Sequence, residues 1–352
     1  MAAKPYSYMI ELLGLSLSTE CNARCIYCPK DRANSIPVKR MKPELIEKIL
    51  DDIISRPDAF SISKVSCGEN GDAFTNPQAL DCLRIIKAKL PNAIVCVNTN
   101  FDTLTGNISE AILEEDLIGS ITFNIDGSTP ENYYLVKRLD YEKVSKNILY
   151  FIQLRKALNK RVPITLLSIP YRRYVNCVNN NFGFLPTNLA GRESYETKND
   201  FKAILNQWRP ALDLSMDRIC QVDAPFAWAE REQIYRLAHD DRKFICPRIW
   251  QVKHIANIAP DGSWYLCDLD ANYDYIIGNA ADTNIGDLAL SERRMRAIRN
   301  LEARRFSEIG PPCNSVQACQ YLLENRFASK LLLAAQRNKF TRAIAYSVLD
   351  LS

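Results

Sequence analysis

Residues 10–28 read I-E-L-L-G-L-S-L-S-T-E-C-N-A-R-C-I-Y-C. A Leu-rich run broken by Glu11 passes straight into three cysteines, Cys21, Cys25 and Cys28. The run is too interrupted for the core of a signal peptide and reads as a strand, so the cysteines occupy the loop at its end. Thiols at this spacing suit an iron–sulfur cluster. A cubane has four irons, and electron-transfer clusters fill every position with Cys, so three thiolates leave one iron open. Zinc is the competing reading, but it wants four ligands. No fourth Cys lies nearby, and the only histidines are His239 and His254.

Outward from this loop, to about residue 215, short apolar or β-branched runs alternate with helical periodicity. That is the signature of a parallel sheet wrapped by helices. The runs predict six strands: Ile10 to Ser18, Ile62 to Cys67, Ala93 to Val97, Ser120 to Ile125, Pro163 to Ile169 and Leu212 to Met216. Pro43 and Glu44 open a helix whose buried stripe is Leu45, Ile46, Ile49 and Ile53. A second helix runs from Tyr141 to about Leu158, with Val144, Ile148, Phe151 and Ile152 on one face.

Length and composition bound the answer. The chain has 352 residues, 47% apolar and 24% charged, with net charge +4, which is ordinary for about two globular domains. Lys and Arg are scattered, without the basic run that tracks phosphate backbones, so nucleic acid is not an expected partner. No stretch reaches the roughly 18 apolar residues of a membrane span. The chain has 12 cysteines and no secretory signal, so they read as ligands or reduced thiols and the expected compartment is the cytoplasm.

The C-x3-C-x2-C loop resembles that of the radical S-adenosylmethionine (SAM) superfamily. In that family the open iron of the 4Fe-4S cluster takes the amino and carboxylate groups of SAM. Six βα units are likewise similar to its partial (β/α)6 TIM-like barrel, in which chemistry collects at the C-terminal ends of strands. The resemblance implies a SAM site built residue by residue. Tyr27 matches the aromatic position beside the adenine. Gly71 and Asp72, aligned through Asn76-Pro77, occupy part of the segment that holds the SAM amino group, with Asp and Ala73 replacing the usual Glu and Pro. That departure points to a contact through backbone. Asn98 and Asn100 at the third strand end, and Asn124 and Asp126 at the fourth, match positions that face ribose or carboxylate, although Asn and Asp are also common turn residues. Arg138 is placed to pair the SAM carboxylate, or else to lie solvated at the surface.

A second cysteine set follows. Cys246 is separated by fifteen residues from Gly262, and Gly262 by four from Cys267, with Ala259-Pro260-Asp261-Gly262 reading as a turn between two strands. Cys313 and Cys319 supply two more thiols, which makes four ligands for a closed cluster. A structural zinc on the same four thiols is the alternative. The spacing resembles the auxiliary-cluster domain called SPASM, in its short, single-cluster twitch form. The implied organisation is α/β: a barrel over 1–220, a bridging segment over 221–245, a hairpin-plus-helix twitch domain over 246–320 and a C-terminal helical extension over 321–352. The extension carries Leu323, Phe327, Leu331, Ala334, Phe340, Ile344 and Val348 at helical spacing and is expected to pack on the barrel. The Asn-rich stretch from Asn179 to Asn188 is expected to be a substrate-facing loop.

The resemblance implies cleavage of SAM to methionine and a 5'-deoxyadenosyl radical that abstracts hydrogen from a substrate C–H. The electron would come from a donor such as flavodoxin or ferredoxin. An auxiliary 4Fe-4S cluster would accept the second electron, giving oxidation, cross-linking or rearrangement. A thiol returning a hydrogen atom would instead give epimerisation, and Cys177 and Cys220 are the candidate donors, while Cys82 and Cys96 read as buried small apolar residues. The substrate divides between a ribosomally made peptide, which is preferred, and an aminocyclitol or aminosugar. Only nine residues precede the first strand, so a peptide substrate is expected to need a separate leader-binding protein. The reading from another class is a zinc-stabilised, non-catalytic protein.

Overall fold

The computed structural model describes residues 8–28, 37–169, 200–221, 244–270, 272–311, 313, 323–324, 327–336 and 341. The N-terminal part runs β1 (Ile10–Leu15), α1 (Pro43–Ile54), β2 (Phe60–Cys67), α2 (Ala79–Lys89), β3 (Ile94–Thr99), α3 (Gly106–Glu114), β4 (Ser120–Asn124), α4 (Pro130–Lys137), α5 (Tyr141–Ala157), β5 (Ile164–Ser168), α6 (Asp200–Trp208) and β6 (Arg218–Gln221). The chain continues through β7 (Phe244–Ile245), α7 (Ile249–His254), β8 (Ile255–Ile258), β9 (Ser263–Tyr265), β10 (Ile276–Asn279), α8 (Ile285–Leu290), α9 (Glu292–Glu302), β11 (Leu323–Glu324) and α10 (Phe327–Gln336).

One sheet of nine strands organises the molecule, in the order β10-β9-β8-β1-β2-β3-β4-β5-β6. Strands β8 and β1 to β6 are parallel, and β9 and β10 are antiparallel. The sheet is unclosed, so the expected partial barrel is correct. Strands 255–279 extend that same sheet past the free side of β1. The hairpin turn lies where the sequence places it, with Gly262 at φ +88° and its N–H bonded to Ala259 O.

Alternation along the strands separates two faces. Leu13, Val65, Val97, Phe123 and Leu166 join the helices' Ile46, Ile86, Ile112 and Ile148 in one buried core. Helix α1 forms with Pro43 in its first turn and Ile46, Ile49 and Ile53 buried as expected, but Leu50 completes the buried stripe and Leu45 is only half-buried. The opposite, concave face carries the intervening residues. Register places Asn98, Thr122, Thr165 and Arg218 side by side across β3 to β6, and Asn124, Leu167 and Cys220 form the next row toward the strand ends.

Four expectations need correction. Strand β1 stops at Leu15, because Leu17 to Thr19 leave the sheet to bond residues 39–41: Met41 N–H donates to Leu17 O at 2.9 Å and Thr19 N–H to Lys39 O at 2.9 Å. The sixth strand is not Leu212 to Met216. That stretch is a turn, in which Asp213 accepts from Ser215 N at 3.0 Å, and the strand starts only after Asp217. Buried Arg155 grips Asp217 through paired bonds of 2.6 and 2.7 Å, and Asp217 also accepts from Ile164 N at 2.8 Å, which fixes where β6 joins β5. Third, Cys96 is half-buried on the concave side, where Ser120 Oγ lies 3.0 Å from its thiol, and of the two cysteines expected in the core Cys82 alone is wholly buried. Fourth, Leu323 belongs to β11, paired with β7, rather than to a helical stripe, and Phe327 and Leu331 on α10 are exposed instead of packed on the barrel.

Candidate active site at the strand ends

The cysteine loop leaves β1 where every neighbouring parallel strand also ends, so the loops after β2, β3 and β4 converge on it. After β2, Asp72 N–H donates to Glu20 O at 2.9 Å, Thr75 Oγ to the same carbonyl at 3.0 Å, and Asn76 Nδ2 to Leu17 O at 3.0 Å. Gly71 is required by this approach, because a Cβ there would meet Ser18 O at 2.3 Å and Glu20 O at 2.7 Å. The carboxylate of Asp72 is buried and fully used. It accepts from Phe74 N (3.0 Å), Thr103 Oγ (3.2 Å), Thr99 Oγ (2.9 Å) and Asn100 N (2.7 Å). Burial raises its pKa, and these donors oppose the shift. Asp72 therefore ties the β2 loop to the β3 loop, and its backbone faces the cysteine segment.

From β3, Asn100 Nδ2 donates to Asn22 Oδ1 at 2.8 Å and lies 3.7 Å from the Cys21 thiol. Burial and the nearby Asp72 push that thiol up to about 11. From β4 and α4 come two backbone ties, Arg24 N–H to Lys137 O and Ile26 N–H to Val136 O, both 2.9 Å. Tyr27 is buried and donates its hydroxyl to Asp126 Oδ2 at 2.8 Å, while Asp126 Oδ1 accepts from Ile169 N at 2.6 Å. Lys137, 4% exposed, sits 3.2 Å from Asp126 Oδ2 and 3.3 Å from the Tyr27 oxygen. Burial raises the Cys25 thiol pKa, and the charge of nearby Lys137 counters. Burial works against the Lys137 charge, but Cys25, Tyr27 and Asp126 hold its pKa high.

The second cysteine set lies across β1. Cys246 follows β7 and is half-buried, Cys267 follows β9 and is buried, and Cys313 is half-buried against the core with its N–H on Gly310 O at 2.8 Å. The Arg248–Asp268 ion pair joins the segments bearing Cys246 and Cys267, and the Cys267 thiol lies 3.3 Å from Asp268 Oδ1. Among the described residues, no three His, Cys, Asp or Glu side chains converge closely enough to hold a single metal ion. Both sets are therefore recognised by spacing and by their place in the fold.

Comparison with known proteins bears directly on these thiols. The SPASM family, an iron–sulfur cluster-binding domain, matches residues 246–320. The FeMo cofactor biosynthesis protein NifB of Chlorobaculum tepidum is 28% identical over 124 residues, 33% of this chain and 28% of that protein. The fold of BtrN in complex with AdoMet and 2-DOIA covers 91% of this chain and 94% of BtrN at TM-score 0.50 and 13% identity. Streptococcus suis SuiB, bound to precursor peptide SuiA, covers 83% of this chain and 67% of SuiB at TM-score 0.53 and 14% identity. Residues 246–320 thus carry a SPASM domain, and the chain shares the partial-barrel fold of these structures. It spans less than half the length of the NifB relatives it matches, at 28%, 48% and 45%.

Within this radical SAM fold, the expected residues divide. Tyr27, Gly71, Asp72, Asn100 and Asp126 gather around the cysteine loop, and Asn98 and Asn124 are half-buried on the concave face. Arg138 does not join them. It adopts a left-handed conformation (φ 58°) that ends α4, and its guanidinium stacks on exposed Tyr134, 5.2 Å from the ring centroid. The cation at the loop is its neighbour Lys137, which sequence reasoning missed. A signal existed, since Lys137 lies one turn after Tyr133, beside Val136, on the buried face of α4. Cys177, Cys319 and the stretch from Asn179 to Asn188 lie outside the described residues.

Proposed function

We propose that this chain is a radical SAM enzyme: Cys21, Cys25 and Cys28 hold a 4Fe-4S cluster with an open position for SAM, and SPASM thiols Cys246, Cys267, Cys313 and Cys319 hold an auxiliary cluster. The donor set fits such a group. It consists of three thiols on one loop, fixed from three neighbouring strand ends, with a buried ammonium beside Cys25 to offset thiolate charge. When bound, SAM and the reduced cluster would supply a 5'-deoxyadenosyl radical able to take hydrogen from an unactivated C–H.

The protein's own residues bind, orient and exclude water. Tyr27 presents its ring beside the loop, held through Asp126. The backbone from Gly71 to Ala73 lies against Glu20, and Asn100 fixes the Cys21 side. The concave face offers Asn98, Thr122, Thr165 and Arg218 as one hydrogen-bonding row for substrate, with Arg218 Nε already on Thr165 Oγ at 3.0 Å. Cys220 lies on that same face, level with Asn124, and is the described candidate for returning a hydrogen atom. Positioning of this kind is a large part of catalysis.

The observation that carries the reading is the cysteine loop braced at the convergent strand ends, in a chain that also matches SPASM. For substrate we favour a ribosomally made peptide, with a separate leader-binding protein and a flavodoxin or ferredoxin as donor, in the cytoplasm. The peptide held by SuiB supports this. No helix among the described residues is long and apolar enough to cross a membrane. A second reading, oxidation or epimerisation of an aminocyclitol or aminosugar, draws on the whole-chain likeness to BtrN and on the hydroxyl- and amide-lined concave row.

Anaerobic incubation with dithionite, SAM and candidate substrates, followed by mass spectrometry, tests this function. Formation of 5'-deoxyadenosine is expected, together with loss of two hydrogens (oxidation) or one deuterium taken from solvent (epimerisation). Colourless protein with stoichiometric zinc would refute it. Turnover of an aminosugar without change to any peptide would reverse the order of substrates.

A further inference from the structure

A lysine and an aspartate are buried together beside the cysteine loop, although a buried ion pair is expensive in desolvation and often replaceable by apolar residues without loss of stability. Their arrangement is directional. Asp126 spends its oxygens on Tyr27 and Ile169 N–H, whereas the Lys137 ammonium lies 3.3 Å from the Tyr27 oxygen and the Lys137 carbonyl holds the N–H of Arg24, the residue before Cys25. Of the two charges, Lys137 acts on the Cys25 thiol the more strongly and Asp126 opposes it.

We propose that Lys137 and Asp126 form a charge pair that sets the reduction potential of the cluster held by Cys21, Cys25 and Cys28, with Lys137 favouring its reduced form. This inference rests on the proposed cluster. Reduction adds one electron from a low-potential one-electron donor, breaks no bond and makes the site more negative by one charge. A fixed positive charge at a ligand thiolate in a poorly solvated interior stabilises that state, and a negative one opposes it. Hydrogen bonds to sulfur and local charge are recognised levers on cluster potential. Both residues act through Cys25 and are positioning residues.

The test is an EPR-monitored dithionite titration of the anaerobically reconstituted full chain, following the reduced signal that changes when SAM is added. Lys137→Met should lower the reduced-to-oxidised ratio at the wild-type midpoint at least tenfold, equivalent to about 59 mV for one electron. Asp126→Asn should move it the opposite way, and Lys137→Arg should stay within about threefold. Opposite signs are the signature that a merely structural role would not produce. Equal potentials in all variants, or shifts of the same sign for Lys137→Met and Asp126→Asn, would overturn the proposal. If Lys137→Met fails to hold iron, Asp126→Asn against wild type decides alone. A wild-type chain that assembles no SAM-responsive cluster would instead remove the function on which this inference rests.

Discussion

The two cysteine sets are built in different ways. Cys21, Cys25 and Cys28 share one short loop, and the fold brings three strand-end loops to brace it. Cys246, Cys267 and Cys313 come from separate segments, after β7, after β9 and beyond α9, and two of those segments meet through the Arg248–Asp268 pair. A compact loop needs little from the fold to stay together but much to be aimed, and its hydrogen bonds go into aiming. A dispersed set needs the fold to gather it. The first site should therefore fail locally when a ligand or brace is removed, while the second should respond to changes in the surrounding packing.

The largest effect should come from replacing Cys21, Cys25 and Cys28 together with Ala. SAM cleavage, measured as 5'-deoxyadenosine by chromatography, should be abolished, and iron should fall from about eight per chain to about four. Cys267→Ala should also remove about four irons, by colorimetric assay, yet leave SAM cleavage measurable. Loss of iron from both sites in either variant would show that the two regions are not independent.

Gly71→Ala sharpens the comparison without touching a ligand. Its Cβ would strike the carbonyls of Ser18 and Glu20, so the loop must shift. We expect impaired loading of the first cluster with the auxiliary iron unchanged, and a loss of about 1–3 kcal/mol in denaturant unfolding. The smallest effect on SAM binding belongs to Asp72→Asn. It sets an amide donor against N–H and O–H donors in a site that needs four acceptances, costing about 1–3 kcal/mol, with SAM affinity by calorimetry changed less than in Gly71→Ala.

Much of this architecture was legible in the sequence because local patterns and tertiary demands agreed. The run into Cys21, the Pro43 helix and the turn at Gly262 each carry both a periodicity and a punctuating residue. The failures arose where tertiary contacts decided. Leu212 to Met216 alternate like a strand, yet the Arg155–Asp217 clasp moves the strand to Arg218–Gln221, a short edge strand with little apolar signal. Pairing of β8 beside β1 is a long-range choice that no local pattern announces. Lys137 owes its place to the buried face of α4, and Arg138, read as either a SAM partner or a surface residue, ends that helix in a left-handed conformation with its guanidinium on Tyr134.

On the proposed function, the loop at the end of β1 holds a cluster with an open iron that takes SAM. Its most direct measurement is EPR of the dithionite-reduced, oxygen-free protein with and without SAM, supported by a variant lacking Cys267 to remove the auxiliary signal. Adding SAM should change the g-pattern in both proteins. An identical spectrum with and without SAM, from protein whose iron content shows the cluster is present, would contradict it.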